Sequence, residues 1–273
     1  MIRRASIWIG LLGIVLVILG LVVWVFPRNY FSVELLRLDD NLGIRVPGYV
    51  GNQVKDISIR WVYFVPQNKT EISYQNWKSV LEDASVKLSK FYELQLNNKI
   101  RIYNQVTDHA VIGHFSHVFY DTFDTNKGNP QALLSISKEL SERNYEFNHW
   151  EGTSPFKVWV VVYEGVGASA TQILNSEYNL LATSTLDTVF VTNLDEAFVL
   201  VSRSYFTDKA NLRVGMSVLA HEFGHVLGLP DNYNLETGKS VDDDIMGSGR
   251  FDPIESAFLS EDSKSKLGIG GMR

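Results

Sequence analysis

Apolar residues recur along this chain in distinct rhythms, and each rhythm predicts a different element. The first is no rhythm at all. Residues 7–26 form an unbroken run of 20 uncharged, mostly apolar residues. As a helix rising about 1.5 Å per residue, such a run spans a hydrocarbon core of about 30 Å. Trp8 and Trp24 stand near its two ends, where amphipathic rings favour the interface. The spacing therefore predicts one transmembrane anchor within residues 1–26. A cleaved signal peptide is the rival reading, but its apolar stretch is usually about 7–15 residues and ends at a small-residue site. Here Pro27-Arg28-Asn29-Tyr30 follows instead. Arg3 and Arg4 precede the run. They predict a cytoplasmic N-terminus and an extracytoplasmic remainder, a single-pass membrane protein.

Residues 27–52 are mixed in character, with Pro47-Gly48 and Gly51-Asn52 as turn signals, and read as a stalk or lead-in segment. From residue 53 to 273 the pattern is that of one folded domain. Residues 57–65 are β-branched and aromatic and end at Pro66, which predicts a strand. Over 73–96, Trp77, Val80, Leu81, Ala84, Leu88, Phe91 and Leu94 recur at spacings of three and four, which predicts a helix with one apolar face. Residues 99–106 alternate as a second strand does. Pro130 opens a helix reaching to about residue 145, since proline suits a first helical turn. The continuous apolar run 157–163 predicts a central strand covered on both faces. Gly165 and Gly167 end it, and the glycine turn 165–170 is expected to lead to an edge strand beside a substrate cleft. Residues 188–192 read as a short strand and 215–227 as a helix. The fold class expected is mixed α/β, a twisted sheet packed by helices.

Composition narrows this reading. Of 273 residues, 45% are hydrophobic and 12% aromatic, enough for a substantial core. The formal net charge is -6 and the basic residues are scattered, so nucleic-acid binding has no electrostatic support. There is no cysteine, which excludes disulfides, thiol nucleophiles and thiolate metal sites. Any metal must be held by nitrogen and oxygen.

The chemistry concentrates in residues 221–231, His-Glu-Phe-Gly-His-Val-Leu-Gly-Leu-Pro-Asp. His221 and His225 are four apart, so on a helix they project from one face and reach one ion. Glu222 is rotated about 100° from His221. That places it to act as a general base on a water rather than as a third ligand. Gly228 is positioned to end the helix in a left-handed turn, and Pro230 reinforces the stop. Asp231 then returns to the metal from the other side. Two histidines and one carboxylate leave a fourth position open, the catalytic rather than the structural arrangement for zinc.

This pattern resembles the extended zinc motif of the metzincin peptidases. The common form ends in a third histidine; aspartate stands there in the snapalysin-like branch, whose Gly-Leu-Pro-Asp run is also similar. The resemblance implies a zincin-like fold, one catalytic Zn2+, a peptide or protein substrate and endopeptidase activity. It further implies that Met246 forms the apolar methionine turn beneath the histidines. No tyrosine follows Met246 closely, unlike in some branches. Tyr233, two residues past Asp231, is a candidate to stabilise an oxyanion, with surface packing as its plainer role.

Two further clusters stand out. His109, His114 and His117 lie close in sequence, and the last two suit one helix face as a second metal site, although ordinary surface histidines are the default. Asp242-Asp243-Asp244 offers oxygen ligands of the kind Ca2+ takes, with a solvated acidic loop as the simpler expectation. The alternative to an enzyme is a non-catalytic zinc- or peptide-binding module on the membrane surface, which has no need of Glu222.

Overall fold

The run of β-branched and aromatic residues that begins the domain becomes β1, Asp56–Val65, and everything else in the sheet is arranged around it. In this computed structural model the described residues are 43–46, 53–72, 75–121, 130–143, 156–165, 170–174, 180–183, 196–234, 237 and 239–269. All belong to one compact unit, Gly43–Arg273. The proposed anchor at 7–26 and the strand expected at 188–192 lie outside the described residues. Among those described, no helix is long and apolar enough to cross a membrane. Ile44 pairs with Val54 and is buried in the core, so part of the lead-in segment packs with the domain.

The other strands are β2 (Arg101–Val106), β3 (Val111–Ile112), β4 (Lys157–Tyr163), β5 (Ala170–Leu174), β6 (Leu180–Thr183) and β7 (Glu196–Ser202). Among the described residues they form one seven-stranded sheet in the order β2-β1-β4-β7-β5-β6, with β3 pairing the end of β1. The pairs β1–β2, β1–β3, β1–β4 and β4–β7 are parallel, whereas β5 runs antiparallel to both β7 and β6. The expected central strand is therefore central: β4 lies between β1 and β7, and Val158 to Tyr163 are all buried. A strand buried on both faces needs no polar alternation, which is why it reads as a continuous apolar run.

The helices divide between the two faces. On one face, α1 (Trp77–Gln95) and α5 (Gly215–Val226) close over Ile57, Ile59, Trp61, Val158, Val160, Ala197 and Val199. On the other, α3 (Pro130–Glu142) covers Val62, Phe64, Trp159, Val161, Phe198 and Leu200. Alternate residues of one strand thus feed two cores, as the period of two requires. The short helices α2 (His117–Tyr120) and α4 (Ser204–Thr207) follow β3 and β7, and α6 (Glu261–Lys266) lies near the C-terminus.

Several expectations are corrected. The strand expected from residue 99 starts at Arg101, because Asn97 and Asn98 both take left-handed backbone (φ 55°) to turn the chain out of α1. The strand after the 165–170 turn, β5, is not the sheet edge: β6 pairs along it and is the outer strand. Strand β7 has no counterpart in the sequence reading.

Candidate metal centre

The site is built on α5. Leu219, Ala220, Phe223 and Val226 are buried against the sheet-side core, which fixes how the helix is rotated. The Tyr92 hydroxyl of α1 donates to the Ala220 carbonyl at 2.6 Å and ties the two helices together. That rotation sends His221 and His225 to the same side, with Nε2 atoms 3.2 Å apart.

The helix ends as the glycine predicts. Gly228 has φ 82°; its N–H donates to the His225 carbonyl, and the Leu229 N–H donates to the Gly224 carbonyl. These are the paired bonds of a Schellman turn, which a residue with a Cβ closes less readily. The turn also does chemistry. It places the Leu229 carbonyl 2.8 Å from His225 Nδ1. Beyond it the Asn232 N–H donates to the Met246 carbonyl, which pins the preceding Asp231 beside the histidines.

His221, His225 and Asp231 are the group of metal-capable side chains found together among the described residues. Asp231 Oδ1 lies 3.3 Å from each histidine Nε2. Four tetrahedral ligands about 2.0–2.1 Å from zinc stand about 3.3–3.4 Å from one another. The triangle 3.2, 3.3 and 3.3 Å matches that spacing.

The protons agree with the distances. His221 Nδ1 faces the Ile245 carbonyl at 3.0 Å, and His225 Nδ1 faces that of Leu229. A carbonyl only accepts, so each Nδ1 carries a proton, and the neutral ring that a metal takes presents its Nε2 lone pair. Three lone pairs thus converge. Asp231 Oδ1 is buried with no hydrogen-bond partner. A buried, unpartnered carboxylate oxygen between two imidazole lone pairs is costly unless a cation sits there. The residues present fit a zinc ion.

The electrostatics mark the cluster as a place that favours positive charge. Burial acts to push His225 down, but Asp231, Glu222 and the Leu229 carbonyl outweigh it and leave it raised. Burial acts to raise Asp231, and the two histidines outweigh that, holding its carboxyl well below the usual carboxylate range.

Glu222 is buried beside the ligands, at 4% exposure, and its carboxylate helps to raise the hydroxyl of Tyr205, which burial raises first. Tyr233 is not simply a surface residue. Its ring lies 6.1 Å from that of His221, and its hydroxyl is pushed up to about 12, by burial and then by the Asp231 carboxylate. Met246 is fully buried under α5. A Cβ on Gly224 would stand 2.4 Å from its sulfur, so that glycine admits the floor. Met246 packs and does not ligate, in keeping with a thioether in an apolar setting.

Within the acidic triplet, the structural work falls to Asp244. Asp243 is exposed, whereas Asp244 is fully buried. Its carboxylate accepts from the Met246 N–H, Asn232 Nδ2, the Ser260 N–H and the hydroxyls of Ser260 and Ser263. Burial acts to raise its pKa, and these bonds, Ser263 first, outweigh that and lower it. Asp244 thereby holds the Met246 turn, and with it the Ile245 carbonyl that orients His221. Replacing Asp244 with alanine strands several buried donors and is expected to cost about 3–5 kcal/mol. Thermal unfolding checks this: the midpoint should fall by roughly 10 °C in a domain of this size. The depressed pKa fixes the sign with pH. The stabilisation is full above about pH 4 and is lost as pH falls through the folded value. An unchanged midpoint at pH 7 would remove Asp244 from this role.

The histidine cluster does not converge. The His117 ring meets Asn68 Nδ2 at 2.7 Å, and His114 Nδ1 lies 3.8 Å from Glu139 on α3. His114 precedes α2 rather than sharing its face. The site residues that sequence reasoning missed are the two orienting carbonyls, Asp244 as the hub, and Arg250, whose guanidinium lies 3.8 Å over the Tyr233 ring. Backbone acceptors leave no mark in a sequence.

No family model matches the sequence, and no curated protein matches it. Solved structures similar to this chain include a catalytically inactive OgpA from Akkermansia muciniphila in complex with an O-glycopeptide, glycodrosocin. It is 15% identical with a TM-score of 0.41, over 81% of this chain and 63% of that one. Metalloproteinase-II from Bacteroides fragilis is 11% identical at 0.40, over 85% and 59%. Archaemetzincin from Methanopyrus kandleri is 10% identical at 0.32, over 80% and 96%. The match thus spans about three fifths of the length of the first two.

Proposed function

We propose that this chain is a zinc-dependent peptidase with a zincin-like fold, tethered to a membrane by residues 7–26 with residues 53–273 on the extracytoplasmic side. The observation that carries the enzymatic part is the triangle of lone pairs on His221, His225 and Asp231, with Glu222 one position along the same helix. Zinc held there supplies Lewis acidity to a scissile carbonyl and to a water. Everything else is done by the protein. His221 and His225 are held in one tautomer by the Ile245 and Leu229 carbonyls. Asp231 contributes the charge and leaves the fourth direction open. Glu222 accepts the proton of the attacking water and delivers it to the departing amine. Tyr233, whose ring lies 6.1 Å from that of His221, donates to a developing oxyanion. The aspartate in place of a third histidine is the snapalysin-like variation on the metzincin pattern.

The test is peptide hydrolysis under metal control. The full chain, in detergent, is incubated with a complex peptide pool, and products are read by mass spectrometry. New termini are expected with zinc, absent after chelation and restored by added zinc. Zinc bound at one per chain with no cleavage would instead support a non-catalytic binding module.

A further inference from the structure

The Met246 turn runs directly into a short 3-10 helix, Ser248–Phe251, and that helix carries the cation Arg250. The Arg250 guanidinium lies over two rings, 3.8 Å from the centroid of Tyr233 and 4.3 Å from that of Phe251. One of its nitrogens, Nη1, donates to the Gly247 carbonyl. A guanidinium has five N–H donors. Among the described residues, no carboxylate pairs with this one.

That absence is notable given the neighbourhood. Asp242, Asp243, Asp244 and Asp252 all lie within eight positions of Arg250. Asp242 receives the Asp244 N–H, and Asp244 is occupied by its own donors. The chain as a whole is net negative, at -6. An arginine in an acidic segment that pairs with no carboxylate among the described residues, is partly buried and lies against two rings is preorganised for an external anion.

Its position says which anion. The Tyr233 ring that it covers lies 6.1 Å from the His221 ring. The two separations keep the guanidinium within about 10 Å of that ring, a reach of about three extended residues. A chain lying across the metal centre brings its own groups to Arg250.

We propose that Arg250 is a specificity residue that takes a carboxylate of the peptide substrate, within three residues of the bond that is cut. This rests on the peptidase reading of the site. The carboxylate comes from an acidic side chain or from the peptide's C-terminus, and both present the same planar pair of oxygens to the fork.

The test is equilibrium binding to zinc-loaded protein carrying Glu222→Gln, so that no peptide is consumed. One probe series is a neutral octapeptide with a single Glu, or the isosteric Gln, at each position in turn, its C-terminus amidated. The other compares free-acid and amidated termini on the Gln scaffold. At least one carboxylate peptide is expected to bind about tenfold or more tightly than its amide twin. The series in which this occurs identifies the source. Adding Arg250→Met should bring the ratio below about twofold. Arg250→Lys, which keeps the charge but not the fork, should fall between. Arg250→Glu should invert the preference toward a Lys-bearing peptide. Zinc content measured on each sample shows that the centre is intact. A carboxylate preference that survives Arg250→Met, or equal affinity for every pair with zinc bound, overturns the role of Arg250 and leaves the metal site standing. Failure to bind zinc overturns both.

Discussion

Replacing Glu222 with glutamine is expected to leave one zinc bound per chain and to lower kcat/KM for peptide hydrolysis by about 10²–10⁴-fold. That corresponds to about 3–5 kcal/mol of transition-state stabilisation. Glutamine keeps the volume of the side chain and much of its hydrogen bonding, so the packing around α5 should persist. What it cannot do is accept a proton from water. Glu222 is 4% exposed. Its charge acts on His225, Tyr205 and Tyr233, so the carboxylate lies close to the ligand triangle. Zinc stoichiometry and kinetics on one preparation check the pair of outcomes. Loss of zinc together with activity would make Glu222 a structural or ligating residue. Full activity would remove it from the mechanism.

Replacing Asp231 with alanine is expected to weaken zinc binding by more than about 100-fold, beyond the 10–100-fold typical of losing an outer-shell partner. The metal-free protein should also lose stability. The two histidines hold the Asp231 carboxyl low against burial, so the ionised carboxylate stabilises the fold even without zinc. The metal-free variant should therefore unfold at a lower temperature than the metal-free parent. The parent should gain stability as zinc is added, and the variant should not. Asp231→His, which restores a neutral nitrogen ligand, should recover part of the affinity. An alanine variant that binds zinc like the parent would show that the carboxylate is not a ligand.

The two variants fall where the sequence was most legible, and there is a physical reason. Helix pitch and one turn decide whether His221, Glu222, His225, Gly228 and Asp231 converge, so the information is local. The same holds for β4, whose continuous apolar run marks a strand buried on both faces. Strand β7 carries a comparable signal in the apolar run Ala197–Val201, followed by polar Ser202 and Arg203. The sheet order was not legible. β1 sits between β2 and β4 through contacts far apart in sequence, and no local pattern encodes which strand lies beside which. Asp244 was misread for a related reason. Three consecutive aspartates look like a solvated loop until Ser260 and Ser263, sixteen and nineteen residues on, are brought to the middle one. Met246 was legible only through its resemblance to a known motif. The structure supplies the cause, a buried thioether against Gly224 that sits next to the carbonyl orienting His221.

The central claim is that His221, His225 and Asp231 hold one zinc ion through nitrogen and oxygen. Zinc-edge X-ray absorption on the metal-loaded chain tests it most directly. The account predicts one zinc per chain in a four- or five-coordinate shell of nitrogen and oxygen at about 2.0–2.1 Å, with multiple-scattering features of two imidazoles. The imidazole signal should halve in the His225→Ala variant. A six-coordinate shell of oxygens alone, or a spectrum that His225→Ala leaves unchanged, would contradict it.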